Sequence, residues 1–324
     1  MYLGDNVKKK LKLKKQYKFT LFLILILVIG AFVGVKKYKE YKYHQTYEYK
    51  LMQVGYTLDE AHLLEEKLDS EKLNQYLEKD KDETILKILN EKYFIYNNLD
   101  RYLKYLEDNK KATVSDAIKY VNVYRDYDYY EKIIDTNMSL DTLILVNKYH
   151  KLSEDYAPDD LVVISNNYSW GSNQKTRKVV YDAYLNMWNA AKEEDIYLMV
   201  NSSYRDNVTQ KTVYDNYMNL KGEKYADSIA ARPGHSEHST GLCLDIFTKT
   251  NTNKNTFKDT TDYVWLKENA HKFGFILRYP ENKENITGYS FESWHYRYVG
   301  VDVATFIYEN DLTFDEYYAY YLEK

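Results

Sequence analysis

One cysteine, Cys243, stands alone in 324 residues, so no intramolecular disulfide can staple the fold; burial or a metal must hold it. Proline and glycine are scarce, at 3 and 11, which excludes collagen-like and proline-rich low-complexity structure. Neither sign of charge dominates. The 45 Lys and Arg stand against 49 Asp and Glu, a net charge of −4, and the basic footprint of a general nucleic-acid binder is missing. Tyrosine is abundant instead: 38 residues, many among Lys, Asn and Ile, a pattern that reads as compositional bias and half-buried helix faces. The length suffices for one well-cored domain plus a smaller module, or for two domains.

The small net charge hides an uneven distribution. Residues 1–18 hold seven lysines and one acid, Asp5, so the rest of the chain is acidic. Directly after this head, Phe19 to Val35 runs 17 residues without a charge. As a helix that run spans roughly 26 Å, slightly short of a ~30 Å hydrocarbon core. Lys18, Lys36 and Lys37 can snorkel to the two interfaces and make up the difference. A cleaved signal peptide is the alternative, but no small-x-small site follows; the exit reads Val33-Gly34-Val35-Lys36-Lys37. The reading is a basic tail (1–18) kept in the cytoplasm by the positive-inside rule, a single-span anchor in the lipid bilayer (19–35), and an exported body.

Residues 36–138 carry helical periodicity and no catalytic constellation, and read as a helical stalk. Thr57-Leu58-Asp59-Glu60 has the form of a capping box, followed by apolar residues at Ala61, Leu64 and Leu68 on one helix face. A further helix is expected to begin near Thr113-Val114-Ser115-Asp116. From Ser139 the texture changes. Helices are expected over 176–194, 208–220 and 262–272, and strands over 196–200, 242–247, 275–277 and 290–298. Two short helices close the chain, the second entered through Thr313-Phe314-Asp315-Glu316. Helices interspersed with short strands, with few regular crossovers, indicate an α+β domain over 139–324.

Chemistry concentrates in two stretches of that domain. His238 and Asp245 lie seven apart in Ser236-Glu237-His238-Ser239-Thr240-Gly241-Leu242-Cys243-Leu244-Asp245, and His295 lies in Glu292-Ser293-Trp294-His295-Tyr296-Arg297. Two imidazoles and one carboxylate leave a fourth position open, the arrangement a catalytic zinc requires. Glu292 is then placed to act as a base rather than as a ligand. On a straight strand residues 292 and 295 would face opposite sides, so the proposal needs a bulge or a strand end between them. Singly, each residue has an ordinary structural explanation. Jointly, E-x-W-H-x-R about 50 residues after S-x-H-x(2)-G-x(3)-D is a pattern that coincidence does not explain.

The segment from about Ser139 to Lys324 resembles the VanY-type D-alanyl-D-alanine carboxypeptidases, zinc peptidases of the bacterial cell wall. The family motif S-x-H-x-x-G-x-A-x-D falls on Ser236, His238, Gly241, Cys243 and Asp245, and glutamate-x-tryptophan-histidine falls on Glu292, Trp294 and His295. Supporting stretches are Ser203-Tyr204-Arg205 with Gln210, Arg232-Pro233-Gly234, and Gly274-Phe275-Ile276-Leu277-Arg278-Tyr279-Pro280. The resemblance implies a small antiparallel sheet with flanking helices, the α+β fold shared with lysostaphin-type peptidases and the hedgehog signalling domain. It also implies one Zn2+ on His238, Asp245 and His295, with Glu292 as the base. Arg205 would supply a positive charge to the oxyanion or to the substrate's terminal carboxylate, and Gln210, Ser236 and Tyr279 would line the substrate. Two positions depart from the pattern: Cys243 replaces a small alanine, and Ser293 replaces a proline. Cys243 is expected to be a small core residue, since a thiolate ligand would displace the carboxylate.

The implied activity is removal of the terminal D-alanine from peptidoglycan stem peptides, across a D,D- or an L,D-bond. Two readings of another class stand beside it: a catalytically silent wall-binding protein that keeps the fold, and an assembly protein whose stalk binds a membrane partner.

Overall fold

The computed structural model describes residues 15–323; the basic head up to residue 14 and Lys324 lie outside the described residues. The chain divides into two compact units, Met1–Glu91 and Lys92–Lys324.

In the first unit a helix runs over Lys15–His44; over Tyr17–His44 it is long and apolar enough to cross a membrane, and its most apolar stretch is not buried by protein. Four short helices follow, Tyr47–Gln53, Leu58–Lys67, Ser70–Leu77 and Glu83–Leu89. They bury Leu51, Ala61, Leu64, Ile85 and Ile88. The Thr57 box closes as its sequence suggests: the Thr57 hydroxyl accepts from the Glu60 amide at 3.3 Å, and the Glu60 carboxylate accepts from the Thr57 amide at 2.8 Å.

The second unit begins 47 residues before Ser139, at Lys92, so part of the segment assigned from sequence to a stalk packs here. Tyrosines do much of that packing. Tyr93 stacks on Tyr320 with centroids 3.8 Å apart, and the Tyr124 hydroxyl donates to Glu323 at 2.7 Å. Helices Leu99–Asp108 and Val114–Asn122 lie in this region, the latter opened by a Thr113–Asp116 capping box.

Two small strand pairs precede the main sheet: β1 (Ile134–Asp135) with β2 (His150–Lys151), and β3 (Leu161–Val163) with β4 (Lys175–Arg177). The main sheet contains β5 (Leu198–Ser202), β6 (Cys243–Thr248), β7 (Phe275–Leu277) and β8 (His295–Tyr298), in the order β5-β6-β8-β7 with every pairing antiparallel. The domain is mixed helix and sheet.

Alternation along the strands divides the sheet's residues between two faces. Leu244 and Ile246 of β6 and Tyr296 of β8 turn toward helix Lys178–Lys192, which contributes Val180, Tyr184, Met187 and Ala191 to the same core. Cys243, Asp245, His295 and Arg297 lie on the other face, and that face carries the polar groups of the site. The expected strand over 290–298 is shorter than read. Only His295–Tyr298 pairs: residues 293–294 form a turn, so the ladder stops at Asp245↔His295 although β6 itself runs on to Thr248. Gly241 explains the glycine of the first motif: it sits at φ +67, and a Cβ there would meet Arg177 Cγ and Leu161 Cδ2 at 3.1 Å.

Leu244 is fully buried under the helix, so Leu244→Ala is expected to lower stability by about 2–5 kcal/mol, read from the urea unfolding of the full chain.

Candidate metal centre and substrate cleft

The ladder brings the two motifs together. Asp245 of β6 stands directly across from His295 of β8, and His238 reaches the same place from the short 3-10 turn Glu237–Thr240 that leads into β6. Asp245 Oδ1 lies 3.3 Å from His295 Nδ1 and 3.6 Å from His238 Nε2. It accepts no well-formed hydrogen bond although it is buried. Four ligand atoms set tetrahedrally around a zinc ion, at about 2.0–2.1 Å each, stand about 3.3 Å apart, so this trio fits the donor set of such an ion. Among the described residues a second grouping also converges: His238, Cys243 and His295 offer atoms within 4.8 Å of one another. The chemistry favours the carboxylate. Burial raises the Cys243 thiol and keeps it protonated. Burial opposes ionisation of Asp245 as well, but the neighbouring His238 and His295 outweigh it and hold the carboxyl at about 2.

Each histidine is oriented by its second nitrogen. His238 Nδ1 lies 2.7 Å from the Ser203 carbonyl, which accepts only, so Nε2 keeps its lone pair toward the cluster. Burial, with Arg205 nearby, pushes His238 down to about 3, which keeps it neutral. His295 Nε2 lies 3.3 Å from Glu237 Oε2.

Glu292 meets the need for a strand end. It sits before β8, its carbonyl accepts from the His295 amide across the 293–294 turn at 3.4 Å, and its Oε2 comes within 3.6 Å of His295 Nδ1. Burial is the largest influence on this carboxyl and pushes it up to about 7, with Asp245 adding to the rise and His295 opposing it. A base poised near neutrality is what proton transfer at neutral pH calls for.

The cluster opens into a cleft of about 190 Å³. Arg205, Gln210, Ser236 and Tyr279 line it together with His238, Asp245, Glu292 and His295, so all the residues singled out from sequence share one site. Besides Asp245 Oδ1, Arg205 Nε and Gln210 Oε1 are buried without a hydrogen-bond partner, although Gln210 Nε2 donates to the Ala231 carbonyl at 2.8 Å. The Tyr279 ring lies 4.9 Å from that of His295. His235 stays outside the cluster, its Nδ1 2.8 Å from the Asn147 carbonyl and its ring against Tyr130.

Sequence reasoning missed the charges beneath the cluster. Glu237 Oε1 accepts from Arg278 Nε at 2.7 Å and from Arg297 Nη1 at 3.0 Å, and Arg278 Nη1 donates onward to Asp315 Oδ2 at 2.5 Å. All four side chains are buried. The two guanidiniums overcome the burial penalty and hold the Glu237 carboxyl well below the usual range. Glu237 and Arg297 stood inside the quoted motifs, but partners 41 and 60 residues apart leave no local signature.

A family model for D-alanyl-D-alanine carboxypeptidase (VanY) matches residues 173–301. The chain is 41% identical over 221 residues to the putative carboxypeptidase YodJ of Bacillus subtilis (strain 168), covering 65% of this chain and 80% of that protein. Among solved structures it resembles the LdcB LD-carboxypeptidase, described with the basis of its peptidoglycan recognition, at TM-score 0.55 and 41% identity, covering 58% of this chain and 90% of that one. It also matches a vancomycin-resistance D,D-pentapeptidase VanY in complex with Zn(II), at TM-score 0.47 and 34% identity, covering 54% and 98%.

Arg278→Met removes the guanidinium shared by Glu237 and Asp315 and leaves both buried carboxylates under-compensated. It is expected to destabilise the protein by about 3–5 kcal/mol, seen as an earlier urea midpoint.

Proposed function

Because the chain belongs to the VanY family of D-alanyl-D-alanine carboxypeptidases, we propose that it is a zinc carboxypeptidase that removes the C-terminal D-alanine from peptidoglycan stem peptides. The observation that carries this reading is the convergence of Asp245 Oδ1, His238 Nε2 and His295 Nδ1 beside the Glu292 carboxylate at the floor of one cleft.

His238, Asp245 and His295 would hold the ion. Zinc, when bound, supplies Lewis acidity and makes water easier to deprotonate. The remaining work falls to the chain's own groups. Glu292 accepts the proton of the attacking water and returns it to the leaving amine. Arg205 holds the terminal carboxylate of the substrate, a role suited to a planar guanidinium whose buried Nε has no protein acceptor. Gln210 Oε1, an acceptor without a protein donor, takes an N–H of the peptide, and Ser236 and Tyr279 complete the walls. Burial of these groups strengthens each interaction. A clamp on a terminal carboxylate restricts the enzyme to the last residue of its substrate, as a carboxypeptidase requires.

The apolar helix before the body supports placement at a membrane. In this reading the helix is a single-pass anchor, the basic N-terminus stays in the cytoplasm, and the peptidase unit faces the cell wall outside.

The test is mass spectrometry of purified protein acting on two stem peptides, a pentapeptide ending in D-Ala-D-Ala and a tetrapeptide ending in a single D-Ala. Loss of one alanine from either supports the reading, and no release from both contradicts it. Glu292→Gln is expected to lower kcat by roughly 10²–10⁴-fold while the protein still takes up zinc. Chelation is expected to abolish turnover, and added zinc to restore it; activity that survives chelation would refute the metal's role.

A further inference from the structure

His295 is held from both sides. Its Nδ1 faces the donor cluster, 3.3 Å from Asp245 Oδ1, and its Nε2 faces away, 3.3 Å from Glu237 Oε2. The other oxygen of Glu237 is occupied by Arg278 Nε and Arg297 Nη1, at 2.7 and 3.0 Å, and each guanidinium is anchored in turn. Arg297 donates to the carbonyls of Thr142 and Ile144 at 3.0 and 2.7 Å, and Arg278 grips Asp315. Glu237 therefore has no freedom to turn away.

A carboxylate accepts hydrogen bonds and offers none, so the imidazole nitrogen facing Glu237 must carry the proton. With that proton kept on Nε2, only Nδ1, which faces Asp245 and the rest of the donor cluster, is left to meet a metal ion. His238 is fixed in the mirror sense, its Nδ1 against the Ser203 carbonyl and its Nε2 toward the cluster, so the two histidines present opposite nitrogens to one centre.

We propose that Glu237 is a positioning residue of the metal centre, holding His295 in the Nε2–H tautomer and in the ring orientation that presents Nδ1 as a ligand. This inference rests on the reading above that the cluster binds a metal ion. Its rival is that Glu237 serves only to neutralise two buried arginines. Asp315 separates the two roles, because it also neutralises Arg278 but touches no histidine of the cluster.

The experiment is a zinc titration of the metal-free full chain against a competing chelator, alongside thermal unfolding. Glu237→Gln is expected to bind zinc 10–100-fold more weakly than wild type, the loss typical when the outer partner of a metal-bound histidine is removed. Asp315→Asn is expected to unfold at lower temperature yet keep wild-type zinc affinity. Undiminished affinity in Glu237→Gln, or an equal loss in Asp315→Asn, overturns the proposal. If Glu237→Gln does not fold, nitrogen-15 NMR of histidine-labelled, zinc-loaded wild type decides. A protonated Nε2 on His295 with the metal on Nδ1 supports the assignment, and metal on Nε2 overturns it. A wild-type chain that takes up no divalent ion removes the metal reading itself, and this inference with it.

Discussion

The register of two short strands governs the site. Asp245 on β6 and His295 on β8 are direct cross-strand partners, and in a ladder of period two a slip by one residue would turn each to the opposite face. Asp245 would then point into the apolar core beneath helix Lys178–Lys192, and Leu244 would take its place in the cleft. The alternation of Leu244, Ile246 and Tyr296 against that helix therefore does more than stabilise the sheet. Burying those side chains fixes which way the carboxylate and the imidazole point.

The opposite face solves a harder problem, since it buries charge. Removing ions from water costs several kcal/mol each, and a pair repays that only when geometry is good and every hydrogen-bonding site is used. Here Glu237, Arg278, Arg297 and Asp315 balance two positive against two negative groups, and backbone carbonyls take the spare donors of Arg297. Such a network adds little net stability compared with an apolar core. What it provides is a rigid platform directly under His295, and rigidity matters where donors must stay within a fraction of an ångström of a shared centre.

Much of this was readable in the residues. The proposed ligands His238, Asp245 and His295, the proposed base Glu292, and Arg205, Gln210, Ser236 and Tyr279 lie in short segments that could be singled out by spacing and motif, and they line one cleft. Helix starts such as Thr57 and Thr313 were legible because capping is local. The length of β8 was not, since β6 runs on to Thr248 but the chain turns at 293–294 and leaves its edge, a break that the strand-like composition of 290–294 does not announce. The arginine–carboxylate platform escaped for the same reason. Nothing within a few residues of Arg278 announces Asp315 or Glu237. Likewise, the tyrosines that join residues 92–138 to the C-terminal helices look like any amphipathic stripe until Tyr93 is seen stacked on Tyr320.

The account depends on which side chain supplies the third donor to the ion. Asp245 and Cys243 share a face of β6, and both stand near His238 and His295. X-ray absorption at the zinc edge of the metal-loaded full chain separates them directly. Ligation by His238, Asp245 and His295 predicts a shell of nitrogen and oxygen only, at about 2.0–2.2 Å, with the outer-shell pattern of two imidazoles. A sulfur scatterer at about 2.3 Å would instead place Cys243 on the metal and contradict the account.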